Sequence, residues 1–321
     1  MAEMDLRVRL LGKALSLAPS VTGMTDEQLI ARQRKALPRN RVTDFLLGSR
    51  APGIVTSDLT AAGADGRIGI RVYRPMRETG PLPLIVNIHG GGWVSGNLDI
   101  ADWLCGRVAK EVGAVVASVD YRLAPTHRFP VAVEDCYAAL VDVAGRAAEL
   151  GADPDRIAVM GDSAGGNLAA VMCLLARDRS GPEIAFQGLI YPATDLTLGS
   201  QSLEDNAEAP VITTREARKM RDAYLGGHDP ADPLASPLKA ATHEGLPPAL
   251  IQVAEHDPIR DDGLRYGEAL RAAGVPVRTT TYVGMPHGYL SFPNVCRSAT
   301  QALGELCSEL SAALAPARVA D

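Results

Sequence analysis

Ser163 stands in Gly161-Asp162-Ser163-Ala164-Gly165-Gly166-Asn167. Before it lies a short apolar run, Ile157 to Met160. After it comes a stretch rich in Ala, Leu, Val and Met, Leu168 to Ala176. The run reads as a buried strand and the stretch as a helix. A serine at such a strand-to-helix turn is held on a sharp elbow, with its hydroxyl presented for nucleophilic attack. Glycines two residues before and after it remove side chains that would collide across the turn. The helix that follows aims N–H groups and its positive end at the reacting centre. Three fixed positions in five also describe a Gly-rich turn with an incidental serine, so the assignment needs partners elsewhere in the chain.

His89-Gly90-Gly91-Gly92 directly follows the apolar run Leu84 to Ile88. Attack of a serine on an ester carbonyl passes through a tetrahedral oxyanion, which needs N–H donors already in place. A glycine triplet after a strand suits that task, together with a donor from the residue after the nucleophile, here Ala164. The alternative, a phosphate cradle, lacks the Gly-Lys-Ser/Thr ending of a nucleotide loop. His89 is expected to brace the glycine loop by hydrogen bonding. Trp93 is expected either to line the substrate pocket or to pack beneath a cap.

The chain has six histidines. The order Ser, Asp/Glu, His places a general base late in the chain. His287 lies in Gly284-Met285-Pro286-His287-Gly288-Tyr289, after the last strand-like run, where the neighbouring glycine lets the loop present the imidazole. His256 adjoins the acid candidate and is expected to point elsewhere. His127, His228 and His243 are expected to be solvated. Asp257 is the acid selected, at the end of the run Ala249 to Ala254; its competing role is a helix N-cap with Pro258 at the first position. Asp195 is the rival, and Glu255 should point away by strand alternation. The acid would fix the imidazole tautomer and stabilise the imidazolium.

These residues need elements to carry them. Residues 1 to about 45 read as helical, with Leu6, Leu10, Leu11 and Leu15, then Leu29, Ile30 and Leu37, broken at Pro19 and Gly23. Alternation from 53 to 74 suggests an antiparallel edge hairpin. Strands are then expected at 83–88, 114–119, 156–160, 184–190, 249–254 and 277–283. Helices are expected at 99–111, 131–149, 164–178, 260–273 and 297–313. This alternation points to an α/β fold with a mostly parallel sheet covered on both faces, and functional groups at the carboxyl ends of its strands. The stretch 196–246, with a helical piece from Thr214 to Leu225, interrupts it as an insertion over the site. The expected division is 1–45 as N-terminal cap helices, 46–195 as the first part of the core, 196–246 as the cap insertion and 247–321 as the second part of the core. The edge strand 277–283 is available to pair across a homodimer.

Composition narrows the class. The 321 residues are 46% hydrophobic and carry a net charge of −6, which gives no nucleic-acid footprint. Cys105, Cys136, Cys173, Cys296 and Cys307 are scattered and odd in number. They fit reduced thiols in a cytoplasmic protein and disfavour a zinc site or a disulfide framework. No apolar leader opens the chain, and no run approaches the ~18 apolar residues of a membrane span.

The motifs together resemble the hormone-sensitive-lipase-like esterases of the α/β-hydrolase superfamily. The match rests on His89-Gly90-Gly91-Gly92, Asp120-Tyr121-Arg122-Leu123-Ala124-Pro125, Phe129-Pro130 with Glu134-Asp135, the serine heptapeptide, Asp257-Pro258 with Arg260-Asp261, and His287-Gly288. It spans about residues 83 to 290. The resemblance implies Ser163, Asp257 and His287 as a triad and Gly91, Gly92 and Ala164 as oxyanion donors. It also implies a helical cap and hydrolysis of short- to medium-chain carboxylic esters through an acyl-enzyme, without metal or cofactor. Thr126 departs from the family's usual Glu, and Tyr289 from its usual Phe. An amidase or deacetylase with the same triad is one alternative. A non-catalytic small-molecule-binding protein on this scaffold is another, against which the presence of His287 argues.

Overall fold

The computed structural model describes residues 3–33, 40–78 and 80–316. Its hairpin is β1 (Ile54–Gly63) and β2 (Gly66–Pro75), antiparallel as the alternation predicts. Then come β3 (Leu82–Ile88), β4 (Val115–Asp120), β5 (Ala152–Asp162), β6 (Phe186–Ile190), β7 (Ala249–His256) and β8 (Val277–Pro286). They form one eight-stranded sheet in the order β1-β2-β4-β3-β5-β6-β7-β8. β2 runs antiparallel to β4, and the six strands from β3 to β8 are mutually parallel. The β8 edge expected from the sequence is an edge of this sheet.

Parallel strands buried on both faces need apolar side chains on both, and β3 shows this. Leu84, Val86 and Ile88 enter one core, and Ile85 enters the other. The first core is closed by α5 (Val131–Gly145), α6 (Ala164–Asp178) and α9 (Arg260–Ala272). The second is closed by α4 (Leu98–Val112) and α10 (Ser298–Ala313), together with Val8 and Leu11 of α1 (Leu6–Leu15). Caps set several boundaries. Asn97 accepts from the backbone of Asp99 and Ile100 to start α4, and Gly113 in the left-handed region ends it.

Some boundaries differ from expectation. The helix expected at 131–149 stops at Gly145 and is followed by a 3-10 turn, Ala147–Leu150. The strand expected at 156–160 extends over 152–162, because pairing with β3 reaches Ala152 and pairing with β6 reaches Asp162. The N-terminal region is helical in pieces: α1, α2 (Asp26–Gln33) and α3 (Arg41–Leu47). Leu37 lies outside the described residues.

Between β6 and β7 stand α7 (Ser202–Asp205) and α8 (Thr214–Leu225). A capping box between Thr213 and Glu216 starts α8. This stretch touches the N-terminal helices. Ser20 Oγ donates to Glu216 at 2.8 Å, and Arg128, from the core, pairs with Asp26 at 2.9 Å. No helix among the described residues is long and apolar enough to cross a membrane.

Candidate active site

Parallel strands deliver their carboxyl ends to one edge of the sheet. β3 ends into His89, β5 into Ser163, β7 into Asp257 and β8 into His287. Ser163 occupies the elbow with φ 55° and ψ −117°, a conformation that costs roughly 1–3 kcal/mol for a non-glycine residue. Its neighbours hold it there: Ser163 N–H donates to Ile190 O at 2.8 Å, and Ala193 N–H donates to Ser163 O at 3.3 Å. The flanking glycines are required by close approach. A Cβ on Gly161 would lie 2.3 Å from Gly165 O, and one on Gly165 would lie 1.9 Å from Ile88 O.

The three residues selected from the sequence come together. Ser163 Oγ and His287 Nε2 are 2.8 Å apart, and His287 Nδ1 and Asp257 Oδ2 are 2.7 Å apart. The carboxylate is the natural acceptor for Nδ1–H, which leaves Nε2 free to accept the serine proton. Asp257 is fully buried and His287 nearly so. The other carboxylate oxygen, Oδ1, accepts from Ile259 N–H at 2.9 Å. Asp257 is therefore not the N-cap of α9, whose first residue is Arg260. It forms a local turn that fixes the carboxylate while Oδ2 faces the imidazole. Asp195, the rival, is held by Lys239 and Arg265, each at 3.1 Å. Glu255 turns toward β8, where it accepts from Gly284 N–H at 2.8 Å.

The glycine loop is braced from three sides. Gly90 N–H donates to Asp162 Oδ1 at 2.8 Å. His89 Nδ1–H donates to Gly90 O at 2.8 Å, and the His89 ring stacks on Tyr121 with centroids 4.5 Å apart. Tyr121 Oη in turn donates to His89 O at 2.9 Å. Burial pushes His89 down to about 4, so it sits neutral in this brace. Gly91 O receives Ser95 Oγ at 2.8 Å. Gly91 has φ 125° and Gly92 has φ 62°, backbone angles that a glycine adopts without strain. Ala164 is the first residue of α6, where a backbone N–H has no partner within its own helix.

Trp93 is buried and stacks flat on Tyr224 of α8, with centroids 4.6 Å apart and planes 5° apart. It packs beneath the α8 segment. Met220, also on α8, lies directly over Gly92, where its sulfur would be 2.2 Å from an added Cβ. One expectation is corrected: His243 is buried, with Nε2 2.9 Å from Pro237 O and its ring edge-on to Tyr266. His228 is exposed as expected, against the edge of Phe129, and His127 is half-buried.

Several residues at the site had no role in the sequence reading. Asp162 lay inside the serine heptapeptide and was the most accessible to inference. Burial raises its carboxyl to about 6, against the opposing pull of the Gly90 N–H and of His287. Tyr191, just past β6, tilts against His287 at 4.8 Å. Asn206 donates to Asp257 O at 3.2 Å from a segment with no motif at all.

The sequence matches the family model described as alpha/beta hydrolase fold over residues 85–291. The chain is 42% identical over 296 residues to Esterase LipI of Mycobacterium tuberculosis, covering 90% of each chain. It is 46% identical over 258 residues to Carboxylesterase NlhH of the same species, covering 78% of this chain and 81% of that one. The structure of the hyperthermophilic esterase of the archaeon Pyrobaculum calidifontis superposes with a TM-score of 0.87 at 36% identity, over 97% of this chain and 99% of that one.

Proposed function

The chain belongs to the α/β-hydrolase-fold family and is a carboxylic-ester hydrolase, and we propose that Ser163, His287 and Asp257 carry its reaction. The observation that supports this most directly is the unbroken pair of short contacts, Ser163 to His287 at 2.8 Å and His287 to Asp257 at 2.7 Å. As Ser163 Oγ attacks the ester carbonyl, its proton passes to His287 Nε2. Asp257 holds the tautomer and balances the imidazolium. The carbonyl oxygen becomes an oxyanion received by the N–H groups of Gly91, Gly92 and Ala164. The carbon–oxygen bond to the alcohol breaks, and the alcohol leaves with the proton from His287. Water then gives a proton to His287, attacks the acyl-enzyme and releases the carboxylic acid, and Ser163 recovers its proton.

The N-terminal helices and the 196–246 stretch act as one cap over this centre. The Ser20–Glu216 hydrogen bond and the position of Met220 over Gly92 support that reading. The closeness of α8 to the oxyanion loop favours short- to medium-chain acyl groups. The five buried thiols, none in a disulfide, favour a reducing, cytoplasmic setting. The β8 edge is the surface on which a second copy would pair.

The test is hydrolysis of p-nitrophenyl esters from acetyl to palmitoyl, with Ser163→Ala measured beside the parent. Activity should peak at short or medium chains. The variant should lose at least about 10⁴-fold in kcat while keeping its circular dichroism spectrum. Substantial turnover by a folded Ser163→Ala protein would remove Ser163 from the mechanism.

A further inference from the structure

α1 is apolar on two opposite faces, and only one is used by the fold. At about 100° per residue, Val8, Leu11 and Gly12 lie on one side. There they are buried against the body of the protein, with Gly12 against Pro210. Leu6 and Leu10 share the opposite stripe with Lys13. Leu6 is 65% exposed, Leu10 is 57% exposed, and Leu17 in the turn that follows is 84% exposed. Arg7 and Arg9 flank this stripe on either side and are exposed. The helix contains three basic residues and no acidic one. Arg9 has Glu3 at 3.4 Å in an exposed pair, and Asp5 is taken up in capping α1 and facing Arg297 at 3.6 Å.

A second exposed apolar pair lies on α3. Val42 and Phe45 on α3 are 66% and 56% exposed, next to exposed Arg41. The two helices rest on the same short segment: Asp5 faces Arg297, and Phe45 O accepts from Asn294 at 2.8 Å. Of the eleven large apolar side chains exposed among the described residues, six lie between Leu6 and Phe45. This segment also borders the reaction centre. Leu47 of α3 lines a small cavity together with Asp162, Tyr191 and Leu290.

We propose that the outer face of α1 and α3 docks on an anionic lipid surface, with Leu6, Leu10, Leu17 and Phe45 entering the interface and Arg7, Arg9, Lys13 and Arg41 meeting the headgroups. A leucine stripe flanked by cations is the pattern of a helix that lies in a membrane interface. Charge selects the occupant. The first fifty residues hold nine Lys and Arg against five Asp and Glu, a net of +4, in a chain whose total is −6. An anionic surface therefore attracts this end and repels the remainder, which orients the molecule with the cap toward the lipid.

The test is sedimentation of the full chain with vesicles of phosphatidylcholine alone and of an equimolar mixture with phosphatidylglycerol. Binding should be at least about tenfold tighter to the anionic vesicles and should fall as salt rises. Leu6→Glu with Leu10→Glu and Leu17→Glu should weaken it at least about tenfold, and so should Arg7→Glu with Lys13→Glu. All five side chains are exposed, so both variants should keep the parental circular dichroism spectrum and p-nitrophenyl acetate turnover within about twofold. Vesicle binding is read independently of turnover, so a failure of the catalytic assignment leaves this test intact. No binding to anionic vesicles, equal binding by the leucine variant, or a leucine-dependent dimer on size-exclusion chromatography would overturn the proposal.

Discussion

Asp162 shows how one side chain ties stability to chemistry. It precedes Ser163 in the chain and accepts from Gly90 N–H of the glycine loop at 2.8 Å. Burial raises its folded pKa from 3.8 to about 6. A carboxyl raised on folding favours the folded state while it is protonated. Its contribution is fully present below pH ~4 and is lost as pH rises through about 6. The gap from 3.8 to about 6 is worth up to about 3 kcal/mol. Asp162→Asn keeps an acceptor for Gly90 N–H without the half-buried charge. Its urea midpoint at pH 7–8 should exceed the parent's, and the slope of stability between pH 4 and 6 should flatten. Turnover should fall, since the imidazolium formed at His287 loses a nearby negative charge. An unchanged stability profile would show that Asp162 is better hydrated than its surroundings indicate. At this scale the sequence was legible where chemistry demands a residue type in a set order, as for Ser163, Asp257 and His287. Asp257→Asn tests that order: kcat should drop by about 10⁴ with the fold kept, because an amide in place of the carboxylate favours the wrong tautomer. Tyr191, Asn206 and Met220 answer to no such rule, because each is set by which chain segment happens to pack there.

The element most exposed to doubt in a sequence is the one whose partners lie far away, and α8 is that element here. The helical piece from Thr214 to Leu225 was visible in the sequence, and its capping box at Thr213 and glycine end at Gly226 bound it in the structure. Its position over Gly92 was not, because nothing local specifies which distant loop a helix covers. Trp93, Tyr224 and Phe129 make the connection. Trp93 stacks on Tyr224 at 4.6 Å, and Phe129 meets Tyr224 edge-on at 5.7 Å. Trp93 follows Gly92 in the chain, so this aromatic stack fastens α8 to the glycine loop itself. Trp93→Ala should destabilise by about 3–5 kcal/mol in urea unfolding and raise KM for p-nitrophenyl acetate. Tyr224→Ala should cost a similar amount, and the double variant clearly less than the sum of the two, since each removes the other's partner. Strict additivity would mean that the rings merely fill space separately. The β-strands were easier to read. Short β-branched runs between helices admit few other interpretations, and their ends moved by up to a few residues, most in β5, where pairing with its neighbours lengthens the strand.

At the scale of the whole molecule, two cores separated by one sheet bury all five cysteines, two against one face and three against the other. Burial pushes every one of these thiols up, Cys296 to about 12. A thiol reacts as its thiolate, so burial removes both the reactive form and access to it. The native protein should therefore react with a disulfide reagent such as Ellman's at a rate limited by opening of the cores. All five thiols should appear promptly in denaturant, and dithiothreitol should leave the melting temperature unchanged. The order of release carries further information, because each thiol reports the core that holds it. Cys296 lies in the segment that joins the His287 loop to α10, whereas Cys173 is within α6, the helix that follows Ser163. If local opening precedes global unfolding, Cys296 should be labelled at denaturant concentrations that still leave Cys173 protected, and activity should fall together with the Cys296 signal, since the same segment carries the imidazole. Simultaneous release of both thiols would show instead that the sheet and its two cores unfold as one unit.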